Sequence, residues 1–220
     1  MNEKLLLIIA TRNRGKSREI RDFLLDFPVE IRDLNDFGPI PEVVEDGVTF
    51  EENAYKKASF IAKVLGFPAL ADDSGLEVEA LGGAPGVHSA RYAGPQASDE
   101  ANNRRLLEAL AGNPDRHARF CCVLSLAVPS GPALTYEATC EGVISEAPRG
   151  EHGFGYDPLF YYPPLDKTFA ELTIEEKSQV SHRGKALREL REEFDKVMKW
   201  LRLRSAEEQL LLGGQDICQH

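Results

Sequence analysis

The sequence predicts an α/β fold built on a long mixed β-sheet with flanking helices. Two observations carry this. Helix and strand signals alternate along most of the 220 residues, as expected where helices connect the strands of a sheet. Two β-rich runs are joined by Pro129-Ser130-Gly131-Pro132, a hairpin signal that makes part of the sheet antiparallel. The length is enough to bury a core without cross-links. It fits one domain over 1–212, followed by a flexible tail over 213–220.

The elements follow in order. Leu5 to Ala10 is a continuous apolar run of strand length. A helix is expected from about Ser17 to Asp26, with Ile20, Phe23, Leu24 and Phe27 on one face. Asn35 to Val44 carries Gly38, Pro39 and Pro41 and reads as loop or short strand. The next helix is punctuated at both ends. Thr49 caps it, Glu52 completes a capping box, and Gly66 and Pro68 end it. Pro68 to Ala71 is a short apolar stretch running into Asp72-Asp73-Ser74-Gly75, whose composition also suits a turn. Leu81 to Gly94 predicts a long ordered loop. Ser98 caps a helix with Asp99 and Glu100 in its first turn, ending near Gly112. Arg119 to Val128 and Ala133 to Ser145 are the hairpin strands, and Gly150 to Pro164 is a second glycine-rich loop. Ser181 precedes a long helix in which Leu187, Leu190, Phe194, Val197 and Leu201 form an apolar seam. Gly213 to His220 reads as a frayed end.

Composition excludes several classes. Hydrophobic residues are 42% and charged residues 28%, which is ordinary for a folded chain and excludes a disordered one. The net charge of −10 argues against nucleic-acid backbone binding, which needs a positive footprint. It leaves room for a local anion pocket. The apolar run at Leu5 to Ala10 is too short for a membrane span or a signal-peptide core, so a cytoplasmic protein away from membranes is expected. Cys121, Cys122, Cys140 and Cys218 show neither C-x-x-C nor zinc spacing and read as buried or idle thiols.

Four clusters can carry chemistry. Ala10-Thr11-Arg12-Asn13-Arg14-Gly15-Lys16-Ser17 sits between a strand and a helix. There, free N–H groups, the helix dipole and Lys16 favour phosphate, although the same residues can form a solvated basic turn. Gly15-Lys16-Ser17 matches the end of a P-loop, but Ala10 replaces its first glycine. Glu45, Lys56 and Lys57 make a second group, on a loop and the following helix, that also suits a solvated surface. Asp72 and Asp73 form a third, an adjacent carboxylate pair suited to magnesium with substrate phosphates or to an Asx turn. The fourth runs from Gly153-Phe154-Gly155-Tyr156-Asp157-Pro158 to Lys177 and Ser181-His182-Arg183. It offers an aromatic shelf and polar groups for a base, or alternatively a packed loop. Together the four suggest a magnesium-dependent nucleotide site.

The ordered set of Thr11-x-Asn13-x-x-Lys16, Ala71-Asp72-Asp73-Ser74-Gly75-Leu76, Gly82-Gly83-Ala84-Pro85-Gly86-Val87, Gly153-Phe154-Gly155-Tyr156-Asp157-Pro158 and Ser181-His182-Arg183-Gly184-Lys185-Ala186-Leu187 resembles the inosine triphosphate pyrophosphatase family over about Leu5 to Trp200. The resemblance implies two lobes with the site in the cleft between them, and a homodimer. It implies magnesium-dependent hydrolysis of ITP, dITP and XTP to the monophosphate and pyrophosphate, which clears deaminated purines from the nucleotide pool. By position, Thr11, Asn13 and Lys16 would hold the triphosphate within the Thr11-Arg12-Asn13-Arg14-Gly15-Lys16 loop, and Lys57 would add a phosphate contact. Glu45 and Asp73 would hold magnesium, Asp73 would also accept the proton, and Ser74 would touch substrate. Phe154 would stack on the base beside Gly155, Tyr156 and Asp157, with Lys177, His182 and Arg183 contacting it. Arg12 and Arg14 make the first loop bulkier and more basic than is usual in the family. A pyrophosphatase for modified pyrimidine nucleotides, a nucleotide-binding module without turnover and a P-loop ATPase are the rival readings.

Overall fold

The computed structural model describes the backbone of residues 4–213 and the side chains of residues 4–207. The strands are β1 (Leu5–Ile9), β2 (Val29–Asp33), β3 (Ala69–Val78), β4 (His117–Ala127), β5 (Ala133–Ile144), β6 (Phe160–Tyr162) and β7 (Lys167–Thr168). The helices are α1 (Arg14–Leu24), α2 (Phe50–Leu65), α3 (Asp99–Ala109), α4 (Ile174–Val180), α5 (His182–Glu192) and α6 (Phe194–Gly213). The strands form one mixed sheet in the order β2-β1-β3-β4-β5-β6-β7. β1 is parallel to both β2 and β3, and every later pairing is antiparallel. The predicted hairpin is β4–β5, paired from His117↔Val143 to Ala127↔Ala133.

Strand alternation splits the core between the two faces of the sheet. Leu7 and Ile9 pack with Ile20 and Leu24 of α1 and with Leu187, Leu190, Phe194, Val197 and Leu201. Ile8 and Ala10 pack with Ala58, Ile61 and Ala62 of α2, whose small side chains let the helix lie close. A further cluster around Leu76, Leu106, Phe120, Phe160 and Phe169 fills the far end of the sheet.

Several expectations are corrected. α1 starts at Arg14 rather than Ser17, because Asn13 caps it by accepting from the Lys16 N–H at 3.1 Å. Thr49 caps α2 by accepting from the Glu52 N–H, but Glu52 accepts from the Val48 N–H at 2.8 Å. Its carboxylate thus reaches one residue beyond the position a capping box requires. Asp72-Asp73-Ser74-Gly75 is the middle of β3 and not a turn, paired with β4 from Asp72↔Leu124 to Gly75↔Cys121. β2 and α4 carry no reading in the sequence, and the loop over 150–164 contains β6. The long C-terminal helix is interrupted at Glu193, yet its seam stays buried across the break. Of the expected tail, Gly213 ends α6, while 214–220 and Cys218 lie outside the described residues. Cys121, Cys122 and Cys140 are free and buried.

Candidate active site

β1 leaves the sheet between two parallel neighbours, and the helices that follow β1 and β2 pack on opposite faces. Sheets of this kind open a crevice beyond the carboxyl ends of the strands at such a point. A pocket of about 430 Å³ lies there, lined by Thr11, Arg12, Asn13 and Lys16 after β1, Glu45 before α2, Lys57 on α2, and Asp72, Asp73 and Ser74 on β3. The first loop is held by its own polar groups: the Asn13 N–H donates to Thr11 Oγ1 at 3.1 Å. Arg12 donates to the Leu34 carbonyl at 2.9 Å. Arg14 and Gly15 do not line this pocket.

Successive side chains on a strand point to opposite faces, which separates the two adjacent carboxylates. Asp72 and Ser74 turn towards α1 and α5, and Asp73 turns towards α2. The expected Asp72–Asp73 metal pair therefore does not exist as a pair. Asp73 instead joins Lys57 at 2.9 Å, and Lys57 joins Glu45 at 2.9 Å. Burial pushes the Asp73 carboxyl above its ordinary value, and Lys57 offsets only part of that. Burial works against the Lys57 ammonium, yet Asp73 and Glu45 hold its pKa above the usual lysine value. Asp73 Oδ2 is buried with no hydrogen-bond partner. A carboxylate oxygen left unsatisfied beside a second carboxylate is a donor set that fits a hard divalent cation. A different trio, Glu79, Asp115 and His117, brings three potential ligand atoms within 4.8 Å of one another, but outside this pocket.

The base-side residues gather elsewhere. The Phe154 ring lies under the Lys177 ammonium, 4.7 Å from its centroid, and 5.5 Å from the Arg183 guanidinium. It also packs on Gly15, where a Cβ would come within 2.9 Å of the ring. Phe154 and Gly155 line a separate pocket of about 400 Å³. Gly155, at φ +63°, is clamped by α3: its N–H donates to Asp99 Oδ2 at 2.6 Å and its carbonyl accepts from Asn103 at 2.9 Å. Tyr156 is a core residue whose hydroxyl donates to the Ser89 carbonyl at 2.8 Å, and burial pushes its pKa up. His182 is buried and stacked on Phe120 at 4.6 Å, with Nδ1 unpartnered. Burial, reinforced by Arg183 and Lys177, holds its pKa well below the ordinary histidine value, so the ring is neutral.

Lys177 and Arg183 do not wait as bare donors. Lys177 pairs with Asp157 at 2.5 Å and Glu19 at 3.5 Å. Arg183 pairs with Glu19 at 2.6 Å and Asp72 at 2.8 Å. Asp72 also pairs with Lys16. Charges alternate along Lys16, Asp72, Arg183, Glu19, Lys177 and Asp157, running from the first pocket to the Phe154 ring; Lys177, Arg183 and Asp157 line neither pocket. Although burial opposes it, Arg183 and Lys16 hold the Asp72 carboxyl well below the usual carboxylate range. Asp72 enters the site as the hub of this chain of charges and not as a metal ligand beside Asp73, and Glu19 has no place in the sequence motifs. Glu19 sits three positions after Lys16, on the same side of α1, the one signal that could have found it.

Across most of its length the chain is similar to known proteins. A curated relative from Syntrophobacter fumaroxidans, called dITP/XTP pyrophosphatase, is 72% identical over 217 residues, covering 98% of this chain and 94% of the relative. One of the same name from Thermus thermophilus is 54% identical over 191 residues, covering 86% and 91%. Among solved structures, the Staphylococcus aureus Ham1 protein superposes with a TM-score of 0.79 at 45% identity, covering 87% of this chain and 98% of that one. A HAM1 protein from Coxiella burnetii gives 0.81 at 43%, covering 87% and 99%. The model of the Ham1 family matches residues 7–193, from the middle of β1 to the end of the helical seam's first half, and with these relatives it shows that the chain belongs to that family.

Proposed function

We propose that this chain hydrolyses dITP, XTP and ITP to the nucleoside monophosphate and pyrophosphate, with magnesium as cofactor. The observation that carries the reading is the Glu45–Lys57–Asp73 group with its unpartnered carboxylate oxygen, facing the Thr11–Lys16 turn across one pocket. The relatives' shared name supports the same substrate class.

In this reading Glu45 and Asp73 hold the cation, which when bound would neutralise charge on the phosphates. Thr11, Asn13 and Lys16 orient the triphosphate at the start of α1, where the helix N-terminus favours anions. Asp73 accepts a proton from the attacking water, a role that its raised basicity suits. The new bond joins the water oxygen to the α-phosphorus, and the bond from that phosphorus to the α–β bridging oxygen breaks. Pyrophosphate leaves beside Lys16 and Lys57, whose charges offset its own. Ser74 contacts substrate from the Asp72 side of β3. On the base side, Phe154 stacks, and Lys177 and Arg183, which can only donate, suit a 6-oxo purine and not a 6-amino one. Glu19, Asp72 and Asp157 hold those two donors in place. The reading includes a homodimer in the cytoplasm, acting on free nucleotides. Among the described residues no helix is long and apolar enough to cross a membrane.

The test is product analysis with ITP, XTP, dITP, ATP and GTP, in magnesium and then in EDTA. Monophosphate and pyrophosphate from the first three only, abolished by EDTA, is the expected result. Diphosphate and orthophosphate from ATP, or no turnover of any substrate, would overturn the reading.

A further inference from the structure

We infer that Asp72 is a positioning residue that couples the phosphate end of the site to its base end. The inference rests on the substrate class proposed above. The Asp72 side chain is fully buried on the opposite side of β3 from Asp73, so it takes no part in the Glu45–Lys57 group. Its lone pairs are taken up. Lys16 and the Arg183 Nε–H donate to it, the latter at 2.8 Å. Ser74 Oγ donates at 2.8 Å and Cys122 Sγ at 3.2 Å. A carboxylate so saturated is a hub and not a proton acceptor.

The two cations on this hub belong to different ends of the substrate. Lys16 lines the phosphate pocket. Arg183 lies beside the Phe154 ring, and three of its nitrogens are engaged by Asp72, Glu19 and Ser74. One carboxylate divides its charge between them. When phosphate draws Lys16 away, the hold of Asp72 on Arg183 tightens and its guanidinium is fixed for reading the base. Loss of either cation leaves Asp72 clamped on the other. A buried ion triad is a poor device for stability alone, because apolar residues of similar volume often serve as well. Its placement from the phosphate-side pocket to the Phe154 ring therefore points to communication.

Three measurements test this. Wild-type turnover of dITP comes first, because its absence would remove both this inference and the substrate reading. Next, Lys16→Met, Arg183→Lys and the double variant are compared by kcat/KM for dITP. Coupling is expected: the double variant should lose at least fivefold less than the product of the single losses. Multiplicative losses with wild-type turnover intact would overturn the coupling and leave the substrate reading standing. Finally, in Asp72→Asn the preference for dITP over dATP should fall at least tenfold, and the Lys16–Arg183 coupling should shrink to within twofold. A purely structural staple would lower Tm with selectivity unchanged, and that result would overturn the inference. If Asp72→Asn does not fold, the cycle in the wild-type background decides alone.

Discussion

Gly184→Ala tests how tightly the fold fixes the base-side residues. Gly184 is the third residue of α5, immediately after Arg183, and it packs on the backbone of α4 at Ser178, immediately after Lys177. A Cβ there would lie 2.7 Å from the Ser178 carbonyl carbon and closer still to its oxygen. That oxygen already accepts from Arg188 Nη1 at 2.8 Å. Ordinary contact begins near 3.4 Å and the oxygen would lie far inside that limit, so the two helices must part or shift by about 1.5 Å to clear it. Overpacking of this kind costs about 1–3 kcal/mol, and backbone on both sides puts it at the upper end. Alanine's better helix propensity returns at most about 1 kcal/mol. The net loss of about 2 kcal/mol corresponds to a Tm about 4–8 °C lower for a chain of this size. Separation of Lys177 from Arg183 should also cut kcat/KM for dITP about tenfold or more, because misplacement near 1 Å can cost about a hundredfold. Differential scanning fluorimetry and steady-state kinetics check both. An unchanged or higher Tm with kcat/KM within threefold of wild type would refute the reasoning.

Three other changes have definite outcomes. Asp73→Asn at saturating magnesium should lose about 10²–10⁴-fold in kcat, the range for a general base; retention of a tenth of the activity in a steady-state assay would contradict its role. His182 is neutral in the fold with its pKa held well below 6.5, so below about pH 6.5 the unfolded chain binds a proton that the folded chain does not. Its stabilisation is therefore complete above that pH and falls below it, by up to about 1.4 kcal/mol per pH unit. Urea titrations from pH 7.5 to 5 should show His182→Phe losing less stability on acidification than wild type, and parallel curves would count against a neutral ring. Phe194→Ala, at a fully buried seam position, should cost about 3–5 kcal/mol by urea denaturation, with kcat of the folded fraction unchanged. A loss under 1 kcal/mol would mean that the seam is not core.

The parts of the fold legible in the sequence are those governed by local signals. Thr49 and Gly66 mark the ends of α2 because a hydroxyl cap and a left-handed glycine at φ +74° act within one turn. The seam from Leu187 to Leu201 is a periodicity, and it survives the break at Glu193 because its side chains face the same sheet. β2 was not legible because Val29–Asp33, although it alternates with Glu30 and Arg32 exposed, is only five residues long with two apolar side chains, and it owes its existence to pairing with β1 across a helix. Asp72 and Asp73 looked like a turn or a metal pair because composition does not reveal strand phase. Only the register with β4 shows that they face opposite ways. The first loop, β3 and Lys57 do meet as expected, and the structure moves Phe154 and Gly155 to a neighbouring pocket. The ion pairs from Glu19 to Arg183 span more than 160 positions, beyond the reach of any local pattern.

Charge arithmetic at the pocket bears on why a cation belongs in the proposed reaction. The chain's net charge of −10 says little about the site, because exposed charges farther than about 8 Å are screened at physiological salt. The pocket lining itself is balanced. Arg12, Lys16, Lys57 and Arg91 face Glu42, Glu45, Asp72 and Asp73, and the two lysines are already paired with the acids of β3. A triphosphate that entered this pocket without a cation would have to compete with buried carboxylates for every ammonium it touched. In the proposed reading, a divalent cation held by Glu45 and Asp73 would change that balance. It would offset the two acids that otherwise engage Lys57, and so would make that lysine available to the leaving pyrophosphate. Lys16 lacks this relief, since Asp72 on the opposite face is saturated by its own partners. The two lysines are therefore not equivalent: Lys57 should depend on the metal to act on phosphate, whereas Lys16 depends on Arg183 through Asp72.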